Sequence, residues 1–291
     1  MTVEHLPVLL REVLDMLSPV KGGTYIDATV GLGGHSEEIL KMIGQDGRVI
    51  GIDRDEEALR RTGARLHDTR LIPVQGSFSR VEDLSVLPGG SKVDGILFDL
   101  GVSMMQLKDP GRGFSFSSDE KLDMRMDISQ ELSAWDVVNE YSEKDLVRIL
   151  KDYGEEYKAV RIARAIVDYR SETAIDTCSQ LAAIVSRAAG RRGRIHPATK
   201  TFQALRIEVN REIDELKKGL EASLKILKKG GRLCVISYHS LEDRVVKNFM
   251  RDKAREEQLR LIVKKPVVPG IREIRGNPSS RSAKLRGAER L

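Results

Sequence analysis

The chain has 291 residues, enough for one large domain or two modest ones, and 40% of them are hydrophobic, which excludes wholesale disorder. Aromatic residues make up only 4%, so the expected core is mainly aliphatic. Lys and Arg number 49 against 44 Asp and Glu, a formal charge of +5 that is too mild to name a polyanionic partner by itself.

The N-terminal run MTVEHLPVLLREVLDML carries charges throughout, and no apolar run approaches the roughly 18 residues of a membrane span. A cytoplasmic protein that does not enter membranes is therefore expected. Cys178 and Cys234 lack partner spacings, which suggests neither a disulfide framework nor a zinc site, and no metal is expected. Strand and helix signals then alternate. Thr24–Thr29 (TYIDAT) reads as a strand, followed by a glycine turn over Val30–Gly34 and a helix over His35–Ile43. Arg48–Asp53 (RVIGID) is a second strand and Asp55–His67 a second helix. Leu71–Gln75 and Val93–Leu100 supply two more strands. Strands separated by helices imply right-handed βαβ units and a parallel sheet.

From about Met104 to Thr201 the pattern changes to turns and amphipathic helices. Glu143–Tyr153 and Glu155–Tyr169 are the clearest, and Asp176–Ala189 is another, with Asp176 or Thr177 as its N-cap. After Arg211 the earlier rhythm resumes. Ile213, Leu216, Leu220, Leu224 and Leu227 mark one helix face, closed by Gly230 and Gly231. Arg232–Tyr238 (RLCVISY) and Arg260–Val268 read as strands. The expected fold class is α/β, with the sheet-forming domain discontinuous over residues 1–103 and 203–291 and a helical insertion over 104–202.

The first strand–helix turn runs Asp27-Ala-Thr-Val-Gly31-Leu-Gly33-Gly34-His35-Ser36. Glycines let a ligand approach the backbone, and the following helix N-terminus offers N–H groups to an anion. A dinucleotide site wants G-x-G-x-x-G, but counting from Gly31 the third glycine position holds Ser36. An acid four residues before the first glycine, Asp27, fits an adenosylmethionine site better. Asp53 ends the second strand, where a carboxylate can accept from ribose hydroxyls, although a helix N-cap role is open to it as well. Phe78 either covers the adenine or joins the core. Asp99 ends the fourth strand, where a transferred methyl group would face its acceptor, and anchoring the next loop is its alternative role.

With these residues in view, the chain resembles the bacterial ribosomal RNA small subunit methyltransferase H (MraW) family over essentially its whole length. The matching runs are Glu4–Leu10, Asp27–Ser36, Gly51–Leu59, Asp94–Met126, Phe202–Asn210, Ile236–Lys247 and Arg281–Arg290. The resemblance implies a Rossmann-like class I methyltransferase sheet with a helical insertion that helps to hold substrate. It implies S-adenosylmethionine as cofactor and methylation at N4 of a cytidine in the decoding region of small-subunit ribosomal RNA. The family's cofactor residues carry over onto Gly33, Gly34, His35, Asp53, Phe78, Asp99 and Gln106. Met104, Lys121 and Tyr238 stand where the family usually has Ser, Pro and Phe.

A cytosine amine is a weak nucleophile because its lone pair is delocalised into the ring. An acceptor on its N–H would localise and orient that pair, and Asp99 or the backbone carbonyls of Leu100–Val102 are the candidates. Tyr238 and Trp135 are candidate stacking platforms or pocket walls, and His239 and His196 weaker acid–base candidates. Two basic stretches point to phosphate. Arg187–Arg206 holds six Lys or Arg and no acid, and Lys264–Arg290 holds eight against Glu273 and Glu289. Within the first, Arg191, Arg192, Arg194 and His196 are the expected RNA contacts. The partner is small-subunit ribosomal RNA or the assembled subunit, and the oligomeric state is open, a homodimer included. Two rival readings are a nucleotide-dependent oxidoreductase, disfavoured by the missing third glycine, and a non-catalytic RNA-binding assembly factor with a retained cofactor pocket.

Overall fold

The computed structural model describes residues 7–83, 92–101, 111–116, 119–190 and 196–291. In chain order its named helices and strands are α1 (Leu10–Leu17), β1 (Thr24–Asp27), α2 (Gly34–Ile43), β2 (Arg48–Asp53), α3 (Glu56–Leu66), β3 (Leu71–Gln75) and β4 (Val93–Asp99). Five helices follow: α4 (Ala134–Glu140), α5 (Glu143–Asp152), α6 (Ala159–Arg170), α7 (Cys178–Ala189) and α8 (Thr199–Asn210). The chain closes with α9 (Glu212–Ile226), β5 (Leu227–Ser237), α10 (Ser240–Arg255), β6 (Leu259–Leu261), α11 (Ile271–Gly276) and β7 (Lys284–Arg290). Two compact units result, Met1–Gly101 with Ile213–Leu291, and Val102–Glu212.

The first unit is built on the expected α/β sheet, with strand order β3-β2-β1-β4-β5-β7-β6. The strands from β3 to β5 are parallel, while β7 runs antiparallel to both β5 and β6. Period-2 alternation sends Ile26, Ile50, Ile96, Phe98 and Val235 to one face, where they pack with Leu216 and Leu220 of α9 and Val246 and Met250 of α10. Tyr25, Val49, Leu97, Cys234 and Ile236 take the other face, with Val13 and Leu17 of α1 and Ile39 and Ile43 of α2. Both faces are thus covered, as a parallel sheet requires, and each large apolar side chain so buried contributes about 1.5–3 kcal/mol. β3 is the exposed edge, and Pro73 sits there, where a missing N–H costs no ladder bond.

The second unit is helical around Leu146, Ile149, Ile162, Ile166, Leu181, Val185 and Leu205. Between 119 and 190 its pairing is limited, among the described residues, to an isolated bridge between Lys121 and Thr177. Ser133 and Thr177 start α4 and α7 with reciprocal capping boxes to Asp136 and Gln180, so Thr177 rather than Asp176 is the cap of α7. The buried Asn210 amide accepts from Met126 N (2.8 Å) and donates to Met124 O (2.8 Å), joining the end of α8 to the Leu122–Met126 segment.

Several boundaries differ from the sequence reading. The helix expected from Glu155 starts at Ala159, because Glu155 adopts a left-handed φ of 47° that interrupts it. The helical unit extends to Glu212 rather than 202, since Phe202, Leu205 and Val209 bury α8 in the helical core. The strand expected over Arg260–Val268 shortens to Leu259–Leu261 plus a bridge from Val267 to Leu285. The basic tail contains β7, which the sequence reading did not identify. Lys284 and Arg286 there pair with Asp243 (3.1 and 2.7 Å), and Arg290 donates to Gln258 O (2.8 Å), so these cations serve the sheet edge.

Candidate active site

Among the described residues, Gly33, Gly34, His35, Asp53 and Asp99 lie at the carboxyl ends of β1, β2 and β4, where ligands bind in open α/β sheets. After β1 the chain turns through Gly31 and Gly33, both left-handed, with φ of 50° and 76°. A Cβ on Gly31 would meet nothing closer than 3.8 Å, whereas one on Gly33 would lie 2.6 Å from Thr62 Cγ2. Gly33 is therefore required twice, by its backbone angle and by its packing. It is also the N-cap of α2, and no side chain caps that helix, whose first N–H groups face the turn. The turn is tied down by Thr62 Oγ1, which donates to Gly31 O (2.5 Å), and by Ser36 Oγ, which donates to Asp27 Oδ2 (2.7 Å).

Asp53 ends β2 and accepts from Gly31 N (2.9 Å) and Asp55 N (2.9 Å). The N-cap of α3 is Asp55, which accepts from Glu57 N (3.1 Å), so Asp53 is not the cap. A carboxylate offers about four acceptor sites, so Asp53 keeps acceptor capacity for a ribose hydroxyl. Burial raises its pKa, and the backbone N–H donors of Asp55, Gly31 and Arg54 work against that rise.

Phe78 follows β3 with its edge against Phe98 (centroids 5.3 Å apart, 80° between planes). Its half-buried ring packs against the core beside α9. Its flanks are clamped by a network that no sequence spacing announced. Glu215 on α9 accepts from Ser79 Oγ (2.6 Å), from Ser77 Oγ and from Arg54 Nη2 (2.7 Å). Burial opposes ionisation of Glu215, but the two hydroxyls and the guanidinium outweigh it and lower its pKa.

Asp99 ends β4. Its backbone N donates to Thr29 Oγ1 (2.7 Å), and its Oδ1 accepts from the Tyr238 hydroxyl (2.8 Å). Oδ2 lies 3.7 Å from His35 Nδ1. Tyr238 is thus not an open stacking surface; its ring packs in the core and its hydroxyl reaches the carboxylate. Burial, then the Asp99 charge, push its phenol above the ordinary range, so it stays a donor. Buried Glu242 accepts from Tyr238 N (2.9 Å) and His239 N (3.3 Å), while His239 Nδ1 accepts from Glu242 N (3.4 Å). His239, read as an acid–base candidate, is the N-cap of α10.

His35 is buried and its Nε2 lies 3.0 Å from Val8 O, which fixes the tautomer with the proton on Nε2. Burial lowers its pKa against the pull of Asp27, leaving a neutral ring whose Nδ1 can accept. Burial likewise raises the pKa of Asp27. Carboxyls at 27, 53 and 99, an uncapped helix and an open glycine turn form a donor set suited to a ligand carrying a carboxylate, a ribose and positive charge. The two cysteines lie elsewhere, both buried, with burial pushing their thiols up to about 12.

In the helical unit, Trp135 packs on the core and donates to Asp176 Oδ1 (2.8 Å). His196 stacks on Phe116 (centroids 4.5 Å apart, 7° between planes), and its Nδ1 accepts from Ala198 N (3.2 Å), which leaves Nε2–H as its donor. Gln106, Arg191, Arg192 and Arg194 lie outside the described residues. Among the described residues no helix is long and apolar enough to cross a membrane.

Comparison with known proteins places this site in a family. The model of the MraW methylase family matches residues 2–291. A protein of Persephonella marina called ribosomal RNA small subunit methyltransferase H is 50% identical over 294 residues, which cover 99% of this chain and all of that one. Proteins of the same name from Caldicellulosiruptor bescii and Trichlorobacter lovleyi are 47% and 48% identical, each over 99% of this chain and 99% and 98% of theirs. The chain belongs to the MraW methylase family of S-adenosylmethionine-dependent methyltransferases.

Proposed function

We propose that the protein methylates N4 of a cytidine in the decoding region of small-subunit ribosomal RNA. The observation that carries this reading is Asp99, a carboxylate at the end of β4 with one oxygen held by Tyr238. S-adenosylmethionine supplies an electrophilic methyl on a sulfonium. The first N–H groups of α2 would hold its carboxylate, Asp53 would accept from its ribose, and Phe78 would flank its adenine. Asp99 accepts from the exocyclic N–H of the cytosine, which localises the nitrogen lone pair and aims it at the methyl carbon. In-line transfer needs the reacting atoms roughly 3–3.5 Å apart, so orientation is the main task of these side chains. The amine proton lost after transfer passes to Asp99 or to water.

The target base must leave any stack to enter a pocket, which points to unpaired RNA. The helical unit, with Arg191, Arg192, Arg194 and the His196 Nε2–H, meets the phosphates. The relatives' names support small-subunit ribosomal RNA as the substrate class. Cofactor affinity and methyl transfer to unmodified small subunits, measured for wild type and Asp99→Asn, test the reading. The expected result is near-normal cofactor affinity with turnover reduced at least a hundredfold, the range of general-base and electrostatic contributions. An Asp99→Asn protein with full turnover removes the side chain from the chemistry. Wild-type protein that binds cofactor and RNA but never transfers methyl favours the assembly-factor reading.

A further inference from the structure

Tyr157 is 95% exposed, and it is the one exposed aromatic side chain among the described residues. It stands in the turn before α6, where the left-handed Glu155 reverses the chain. A fully solvated tyrosine ring contributes almost nothing to folding, since no apolar area leaves water. Yet this ring is braced. The Lys200 ammonium sits 4.9 Å from its centroid and is fixed there by donating to Glu155 O (2.7 Å). The same turn is anchored by Lys158, whose ammonium donates to Ala189 O at the end of α7, and by Gln203, which donates to Tyr153 O (2.8 Å).

These ties place the turn beside Ala189 and Lys200, two residues within the Arg187–Arg206 stretch. The exposed side of α6 continues from the ring through Val160, Arg161 and Arg164. Neither arginine has a carboxylate within ion-pair distance among the described residues, and exposed Arg187 is likewise without one; none of the three makes an ion pair. The acids nearby are Glu155, Glu156 and Asp168. Glu156 is engaged with Lys158 N (2.9 Å). A presented ring with Lys200 against it and exposed Arg161 and Arg164 on the helix that follows is complementary to an unpaired polyanion that carries flat bases. A protein partner would instead need an apolar patch, and Val160 is the sole exposed aliphatic on this side of α6.

We propose that Tyr157, braced by Lys200, is a stacking platform for an unpaired base of single-stranded RNA, with Arg161 and Arg164 contacting the flanking phosphates. This deepens the RNA reading above and rests on it. The surface works in binding and positioning of the strand, apart from the methyl-transfer residues on the sheet.

The test uses the full-length protein, a fluorescein-labelled single-stranded RNA oligonucleotide of mixed sequence, and unmodified small subunits. Tyr157→Ala is expected to weaken oligonucleotide binding about tenfold, and Tyr157→Phe to restore it, because stacking needs the ring and not the hydroxyl. The KM for subunits should rise in Tyr157→Ala, while cofactor affinity and thermal unfolding stay at wild-type values. Reversal of both arginines (Arg161→Glu with Arg164→Glu) should reduce the salt slope of binding by about 1.4, two single-strand phosphate contacts at roughly 0.7 each. Wild-type RNA affinity and salt slope in all these variants overturn the proposal. So does a loss in Tyr157→Ala confined to ribosomal-protein binding, which would mark a protein interface instead. Wild-type protein that neither binds the oligonucleotide nor methylates subunits overturns the parent reading as well.

Discussion

At the scale of single residues, the environment of Asp99 separates positioning from binding. Thr29 holds its backbone, and Tyr238 holds one carboxylate oxygen with a phenol that burial and the Asp99 charge keep protonated. The family resemblance leads one to expect Phe at 238, so the hydroxyl is an addition in this chain. We expect Tyr238→Phe to fold normally, since the ring still fills its place. Its kcat should fall about tenfold to a hundredfold, because a hydrogen bond to a charged group is worth about 1.5–3 kcal/mol, while KM for S-adenosylmethionine stays within about twofold. Steady-state kinetics check this, and a rise in KM with kcat unchanged would assign Tyr238 to cofactor binding. Loss of the Tyr238 proton should not limit the rate on the alkaline side, given the direction of its shift. The positions of Asp99 and Asp53 at strand ends were legible in the sequence because each closes an apolar strand signal. Tyr238 was left open between a stacking surface and a pocket wall, because sequence alone cannot show that its hydroxyl reaches a residue 139 positions away. The Glu215 clamp on Ser77 and Ser79 was invisible for the same reason, its partners being 138 and 136 positions apart.

At the scale of elements, the glycine turn couples local conformation to cofactor binding. Gly31 and Gly33 are both left-handed, but only Gly33 has a side chain, Thr62, in the place of its missing Cβ. Gly33→Ala should therefore lose more stability than Gly31→Ala. The left-handed backbone costs about 1–2 kcal/mol in each, and the contact with Thr62 adds to the first. Chemical denaturation of the two variants gives the comparison, and calorimetry with S-adenosylmethionine should show weakened binding in Gly33→Ala. Equal losses would mean that α3 yields and the packing argument is wrong. The strand β2 was readable residue by residue because a buried parallel strand is a compact apolar run, and edge strand β3 because Leu71, Ile72 and Val74 stand between turn residues. β7 was not, because its KLRGAER sequence spends four of seven residues on charge, and its cations are satisfied by Asp243, Gln258 and the neighbouring sheet edge. The start of α6 was misplaced since nothing in the Gly154–Glu155 pair announces a left-handed glutamate.

At the scale of the whole molecule, the chain divides its labour between two units of different physics. The sheet unit brings carboxyls, an uncapped helix and a glycine turn to one edge of the parallel strands. The helical unit offers basic side chains and a braced, exposed ring. The alternation and its interruption were visible in the order of apolar periods along the sequence. The return point was not, because α8 carries the same amphipathic signal as the helices of either unit and only its packing on Leu146 and Ile149 assigns it. The central claim is that the protein delivers one cytidine amine to the methyl group of S-adenosylmethionine. It is tested most directly by incubating the protein with methyl-labelled S-adenosylmethionine and small ribosomal subunits that lack the modification, then mapping the label by nuclease digestion and mass spectrometry. The account predicts label at N4 of a single decoding-region cytidine, lost in Asp99→Asn. Label on a ring carbon, on a ribose or on protein would contradict it.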